Sequence, residues 1–300
     1  MFLLSVEHIQ KSFGNVQALR DVSFAVDAGS VFGLLGPNGS GKTTTMRTIL
    51  NILNPDGGQV TWNGKPINRA VRRRFGYLPE ERGLYGKMAV REQIIYFGRL
   101  HGLHEPDAAK RADAWIERLE IGDYALRPAA ELSKGNQQKV QIACAALHEP
   151  ELLILDEPFS GLDPVNADIL LAVLIDLKKN GTTLVLSSHQ MWQLEQLCTA
   201  FCVINKGETR ASGTLAELRS AWPTRIVRVG PDSPALRGAA EKIGATIVGS
   251  ENGDLDLNVP ATSDFSAMLR GFAQADSIVK FEVVEPSLHD IYLRAIGVAA

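Results

Sequence analysis

The sequence predicts an α/β domain built on a mixed sheet, carrying an antiparallel β subdomain and a helical insertion, with a small α+β domain after it. Three observations carry that prediction. An apolar run, Val31–Leu35, leads into the glycine loop GPNGSGKT at 36–43 and then into TTTMRTILNIL, whose apolar spacing is helical. Two more apolar runs, LLILDEP at 152–158 and TTLVLSSH at 182–189, are continuous rather than alternating, as in strands buried on both faces of a parallel sheet. Beyond about residue 220 the patterns follow the order β-α-β-β-α-β.

Bulk properties set the outer limits. The 300 residues are 45% hydrophobic, enough for one large core or two modest ones, and the net charge of −3 supplies no global field for nucleic acid. Cys144, Cys198 and Cys202 form no CxxC pair, which reads as reduced thiols in a cytosolic protein. The start, MFLLSVEHIQ, lacks the basic lead and apolar length of a signal peptide. The best uncharged apolar stretch, ILLAVLI at 169–175, is far short of a membrane span, so work at a membrane would need another chain for the crossing.

Taken in order, SVEHIQKSF and VSFAVDAGSVFGLL read as strands, with Asp27–Gly29 as a turn. Phe13 falls in the loop-like KSFGN, where core packing and stacking on an adenine are both open and core packing is the commoner outcome. Gly36, Pro37, Asn38, Gly39, Ser40, Gly41, Lys42, Thr43 and Thr44 then form a phosphate-binding loop with strand before and helix after. Its glycines let backbone N–H groups close around phosphate oxygens, and the helix start adds free donors and partial positive charge. In that pattern Lys42 bridges the β- and γ-phosphates of a nucleoside triphosphate and the Thr43 hydroxyl is a Mg²⁺ ligand.

NPDGGQVTWNGKPI at 54–67 reads as a hairpin, and Arg69, Arg72, Arg73 and Arg74 as a solvated surface. From about Met88 to Leu147 the spacing is helical, with REQIIYFGRLHGL and DAAKRADAWIERLEI as segments. In ELSKGNQQKVQIACAALHEP, Ser133 is an N-cap and Val140, Ala143, Cys144 and Leu147 form a buried stripe. Lys134 in the first turn reads as an exposed lysine opposing the helix dipole at small cost. The run LLILD delivers Asp156 and Glu157 to the carboxyl edge of the sheet, where ligand chemistry gathers in open α/β folds. FSGLDP is a turn, NADILLAVLIDLKKNG a helix closed by Gly181, and TTLVLSSH a strand ending at His189. QMWQLEQLC reads as a helix, AFCVINKGETRASG as a hairpin and TLAELRSAW as a last short helix, placing the first domain at 1–220 with a helical subdomain at about 80–148. The ferredoxin-like order of 221–300 carries no clustered ligands or nucleophile, which suits a regulatory or associative role.

Four features in this sequence, the phosphate loop, LSKGNQQK, LLILDEP and SSH, resemble the ATPase subunits of ATP-binding-cassette (ABC) transporters over about residues 4–218. The stretches GYLPEERGLYGKM and PSLHDIYLRAIG are similar to the bacterial sodium-extrusion type, which carries an accessory C-terminal domain and pairs with a separate multi-span permease. The resemblance implies the P-loop NTPase fold of an ABC ATPase, with ATP and Mg²⁺ as cofactors. It implies that Phe13 stacks on adenine, that Asp156 holds Mg²⁺ through water and that Glu157 is the general base. It further implies that His189 contacts the γ-phosphate, that Asp163 communicates between sites, and that Ser133 and Gly135 reach the γ-phosphate held by a second ATPase subunit in a head-to-tail dimer.

Two departures stand out. Glu80 occupies the position of a usual glutamine; its carboxylate offers Mg²⁺ an oxygen and an added charge. Lys134 and Asn136 replace a usual glycine and glutamine, with Ser133 and Gly135 kept. The resulting expectation is an ATP-hydrolysing subunit, cytoplasmic and peripheral on the inner membrane face, that powers efflux of sodium or another small solute. A soluble cassette ATPase acting on nucleic acid or the ribosome would need two cassettes, long coiled coils or basic surfaces, whereas this chain has one cassette, no sustained heptads and a net negative charge. A non-catalytic nucleotide sensor is opposed by the intact carboxylates.

Overall fold

The computed structural model describes residues 3–81, 83–188 and 191–298, and the backbone alone at Glu251. The chain divides into two compact units, Met1–Gly213 and Thr214–Ala300.

The first unit opens with β1 (Leu4–Phe13), β2 (Val16–Val26) and β3 (Val31–Leu35), and then enters α1 (Lys42–Ile49) through the glycine loop. A small hairpin follows, β4 (Gly57–Trp62) and β5 (Lys65–Pro66), then the one-turn α2 (Arg69–Arg72) and β6 (Phe75–Leu78). The helical block is α3 (Val90–Leu100), α4 (Glu105–Arg118) and α5 (Lys134–Ala146). The chain returns as β7 (Leu152–Asp156), α6 (Pro164–Lys179), β8 (Thr183–Ser187), α7 (Met191–Leu197), β9 (Ala200–Asn205) and β10 (Glu208–Thr214).

These ten strands form one sheet in the order β5-β4-β1-β2-β10-β9-β3-β8-β7-β6. The half containing β9, β3, β8, β7 and β6 is parallel, and β1, β2, β4 and β5 pair antiparallel. The division follows the residue pattern. Every residue of β3, β7 and β8 is buried, as their unbroken apolar runs require, whereas β1 and β2 alternate exposed and buried positions. Leu34, Met46, Ile49, Ile154, Val185 and Ile204 share one core with Leu4, Val6 and Trp62 of the antiparallel arm.

Helix ends follow their capping residues. Asp163 caps α6, its Oδ1 accepting the Asn166 N–H at 3.0 Å, and Gly181 takes positive φ just beyond the last turn. Arg91 pairs with Asp113 at 2.6 Å, linking α3 to α4, and Arg118 pairs with Asp176 at 3.1 Å, linking α4 to α6. α5 differs from its expected single stripe. Val140, Ala143 and Cys144 are buried as expected, but so are Gln138, Lys139 and Gln141 on its other faces.

The second unit holds α8 (Leu215–Ser220), β11 (Thr224–Gly230), α9 (Pro234–Lys242), β12 (Thr246–Glu251), β13 (Asp254–Pro260), α10 (Phe265–Ala275), β14 (Lys280–Val284) and α11 (Leu288–Ala295). Its antiparallel sheet has the order β12-β13-β11-β14, with α9 and α10 closing a core of Val227, Val229, Leu255, Leu257, Leu236 and Phe272. α8 belongs to this unit rather than to the first. Arg219 on it donates to the Pro286 carbonyl at 3.0 Å and pairs with Glu285, while Arg294 of α11 lies 4.8 Å over the ring of Trp222. The division between the two compact units falls ahead of α8, between Gly213 and Thr214. No helix among the described residues is long and apolar enough to cross a membrane.

Candidate active site

The carboxyl edge of the parallel strands carries a cleft of about 550 Å³. It is lined by Phe13, Ala18, Asn38–Thr44, Glu80, Asp156 and Glu157. Four parts of the chain build it: the β1–β2 hairpin, the loop from β3 to α1, the end of β7, and the segment after β6.

The loop must be made of glycine where it passes its neighbours. A Cβ on Gly36 would stand 2.3 Å from the Ile204 carbonyl and 2.4 Å from Ser40 Oγ. A second support comes from far along the sequence: the turn between β9 and β10 donates the Gly207 N–H to the Ser40 carbonyl at 2.9 Å. Gly207 has φ +76 and sits against Ala18, with no room for a side chain. Lys42 is nearly buried, and its Nζ donates to the carbonyls of Gly36 at 2.7 Å and Pro37 at 3.3 Å. Burial pulls the Lys42 ammonium below the ordinary lysine range, and Glu157, Asp156 and Glu80 act against that.

The carboxylates are held by hydroxyls. Thr43 Oγ1 donates to Asp156 Oδ2 at 2.7 Å, and Ser187 Oγ donates to Asp156 Oδ1 at 2.6 Å. The same Ser187 oxygen accepts the Glu157 N–H at 2.9 Å. Glu157 is buried and has φ 51, a left-handed conformation that costs a non-glycine residue about 1 kcal/mol. This turn immediately after β7 sets the Glu157 side chain in the cleft wall beside Asp156. Ser187 was not singled out by sequence reasoning. The signal available was a serine ending an otherwise apolar buried strand, beside the strand that ends in Asp156.

Phe13 is the last residue of β1 and is 48% exposed, so it is a cleft residue rather than the core residue its surroundings first suggested. Ser133, Gly135 and Asp163 are not among the cleft residues and gather at a second place. Ser133 caps α5 by accepting the Asn136 N–H at 3.3 Å. A Cβ built on Gly135 would lie 3.5 Å from the Asn166 side-chain amide, which itself donates to Asp163. Hydrogen bonds from Asn166 hold the Asp163 carboxyl below the usual range. Gln138, buried on α5, donates to the Pro158 carbonyl at 3.0 Å and so links this helix to the turn after Glu157. His189 lies outside the described residues.

The cleft suits a triphosphate and a hard cation. Ser40 Oγ is buried without a hydrogen-bond partner, and Lys42 satisfies itself on carbonyl oxygens of its own loop. Thr43, Asp156 and Glu80 are oxygen donors, as Mg²⁺ prefers. No group of three or more His, Cys, Asp or Glu side chains that could hold a metal ion occurs among the described residues.

A groove of about 610 Å³ lies between α2, β6, α3 and α5. Phe97, Leu100 and Leu84 line it together with Arg69, Arg72, Arg73 and His101, and none of its lining residues among those described is acidic. Of the four arginines expected on a solvated surface, only Arg74 has an acidic partner among the described residues, Glu151.

A phosphate-cradling loop after β3, joined through Thr43 to the acid ending β7, the parallel strand next but one in the sheet, defines a P-loop nucleoside triphosphatase. Residues 19–160 match the family profile of ABC transporters, and residues 213–296 match the C-terminal domain of DrrA1-3-like ATP-binding proteins. YhaQ of Bacillus subtilis, named an uncharacterized ABC transporter ATP-binding protein, is 42% identical over 98% of this chain and 99% of its own length. LnrL of the same organism, a linearmycin resistance ATP-binding protein, is 29% identical over 98% of each chain. A solved ATP-binding subunit of an ABC transporter superposes with a TM-score of 0.68 at 34% identity, covering 73% of this chain and 92% of that one. The chain belongs to the ATP-binding subunits of ABC transporters, a family that hydrolyses ATP to power transport.

Proposed function

We propose that this chain is the energising subunit of an efflux transporter whose membrane-crossing part is a separate permease. The observation that carries the reading is the hydrogen-bonded series Thr43–Asp156–Ser187–Glu157 beside the phosphate loop. In this reading Phe13 stacks on adenine. The free N–H groups at the start of α1 hold phosphate oxygens, and Lys42 leaves the Gly36 and Pro37 carbonyls to bridge the β- and γ-phosphates. Glu157 takes the proton of the attacking water, and His189 orients that water at the γ-phosphate. Thr43, Asp156 and Glu80 would hold Mg²⁺, which supplies charge neutralisation at the phosphates when bound.

Ser133, Gly135 and Asp163 lie together but outside the cleft, which favours a role toward a nucleotide held by a second ATPase subunit in a head-to-tail dimer. The segment Gly76–Leu100, from β6 to the end of α3, borders the groove between α2, β6, α3 and α5, and a cytoplasmic segment of the permease would take up motion there. The absence of a membrane-length helix among the described residues fits a subunit held on the inner membrane face through that permease. The linearmycin-resistance relative favours outward movement, since resistance follows most directly from expelling a compound. The likeness to the sodium-extrusion type makes sodium, or another small solute, the cargo to test first.

The deciding experiment is Glu157→Gln. The variant keeps ATP affinity within about twofold and loses at least ~100-fold in turnover, the usual scale of general-base removal. Turnover that survives in the pure variant would refute the assignment.

A further inference from the structure

The ionisable side chains lining the cleft are Lys42, Glu80, Asp156 and Glu157, three carboxylates against one ammonium. The lysine attracts all three but makes no direct ion pair with them, its Nζ being hydrogen-bonded to the Gly36 and Pro37 carbonyls, and one ammonium leaves two of the three negative charges uncompensated. Asp156 has both oxygens on neutral hydroxyls, those of Thr43 and Ser187. Neither Asp156 nor Glu80 forms an ion pair among the described residues. The cleft thus presents a carboxylate excess to a ligand that is itself a polyanion. Asp156 and Glu157 are fixed at the end of β7 and buried. Glu80 differs from them: it is exposed, follows Pro79 on the segment after β6, and stands at the rim of the cleft.

We propose that Glu80 makes nucleotide capture cation-coupled: its charge turns away the bare triphosphate and admits the triphosphate carrying a divalent cation. The inference rests on the nucleotide-binding reading above and adds a selectivity residue to it. A carboxylate at the rim repels phosphate oxygens through partly solvated space, where the interaction is weakened but not abolished. When a cation accompanies the nucleotide, the same carboxylate faces net positive charge at the metal and the sign reverses. A glutamine there keeps an oxygen of similar reach and removes the charge, so only the selectivity changes. Glu81, next in sequence and outside the cleft lining, is the control for general surface charge.

The test is calorimetric binding of adenylyl imidodiphosphate to the full chain, with excess Mg²⁺ and with EDTA, at matched ionic strength. The expected result is that removing the cation weakens binding about tenfold more in the native protein than in Glu80→Gln, with Glu81→Gln behaving as native. Equal cation dependence in native protein and Glu80→Gln overturns the proposal, as does a Glu81→Gln variant that mimics Glu80→Gln. Failure of the native protein to bind the analogue even with Mg²⁺ overturns instead the nucleotide-binding reading on which it stands.

Discussion

Ser187 Oγ makes two bonds with different consequences. It donates to Asp156 at 2.6 Å and accepts the backbone N–H of Glu157 at 2.9 Å, so one hydroxyl sets both the acid and the backbone of the proposed base. Ser187→Ala leaves a buried N–H unsatisfied and frees an Asp156 oxygen, which costs on the order of 1–3 kcal/mol of stability. Turnover should fall about tenfold to a hundredfold while analogue affinity changes little, a split that calorimetry and phosphate-release assays on the same preparation would reveal. Glycine spacing and an apolar strand made the placement of Lys42, Thr43 and Asp156 in one cleft legible before any fold was known, because those positions are fixed locally. Ser187 was not legible, since its meaning depends on β8 pairing beside β7. Phe13 illustrates the reverse error of local reasoning: an aromatic near a strand suggests core, and only its place at a hairpin end leaves it half in solvent.

At the scale of elements, α5 is the piece whose surroundings the residue pattern understated. Spacing marked one apolar stripe, yet the helix is packed almost all round, with Gln138 satisfied on the Pro158 carbonyl. Burial of polar residues by two neighbouring layers leaves no trace in periodicity. Just beyond α5, His148 stacks on His101 with ring centroids 3.7 Å apart and donates through Nε2 to the Phe75 carbonyl at 3.2 Å. Its Nδ1 is buried without a partner. Burial, with His101 and Arg111 nearby, lowers the His148 pKa from 6.5 to about 4. The unfolded chain therefore takes up this proton more readily, and the stability gained from a neutral His148 is present above pH 6.5 and lost as pH falls toward 4. Urea titrations at pH 7 and pH 5 should differ by about 2 kcal/mol from this group, and His148→Gln should flatten that slope.

On the scale of the whole chain, two separate cores imply two separable stabilities. Every residue lining the nucleotide cleft comes from the first unit, while the second has its own sheet, its own helices and a bidentate pair between Arg228 and Asp256 at 2.7 and 2.9 Å. Arg228→Met strands the Asp256 carboxylate in a mostly buried place. It should lower the melting temperature of a calorimetric transition that the ATP analogue does not shift, leaving analogue affinity unchanged. The order of elements in this unit was readable from patterning, whereas the ownership of α8 was not. It rests on Arg219 finding the Pro286 carbonyl, a contact between distant stretches.

The turn at Gly207 carries a last implication, for genetics. That residue buttresses the nucleotide loop through Ser40, and its tight fit against Ala18 leaves no space for even a methyl group. A random-mutagenesis screen for lost ATP capture should therefore return changes at Gly207 alongside those at Gly36 and Lys42. Such an allele would look like damage to a peripheral hairpin, yet it would behave as a broken phosphate clasp.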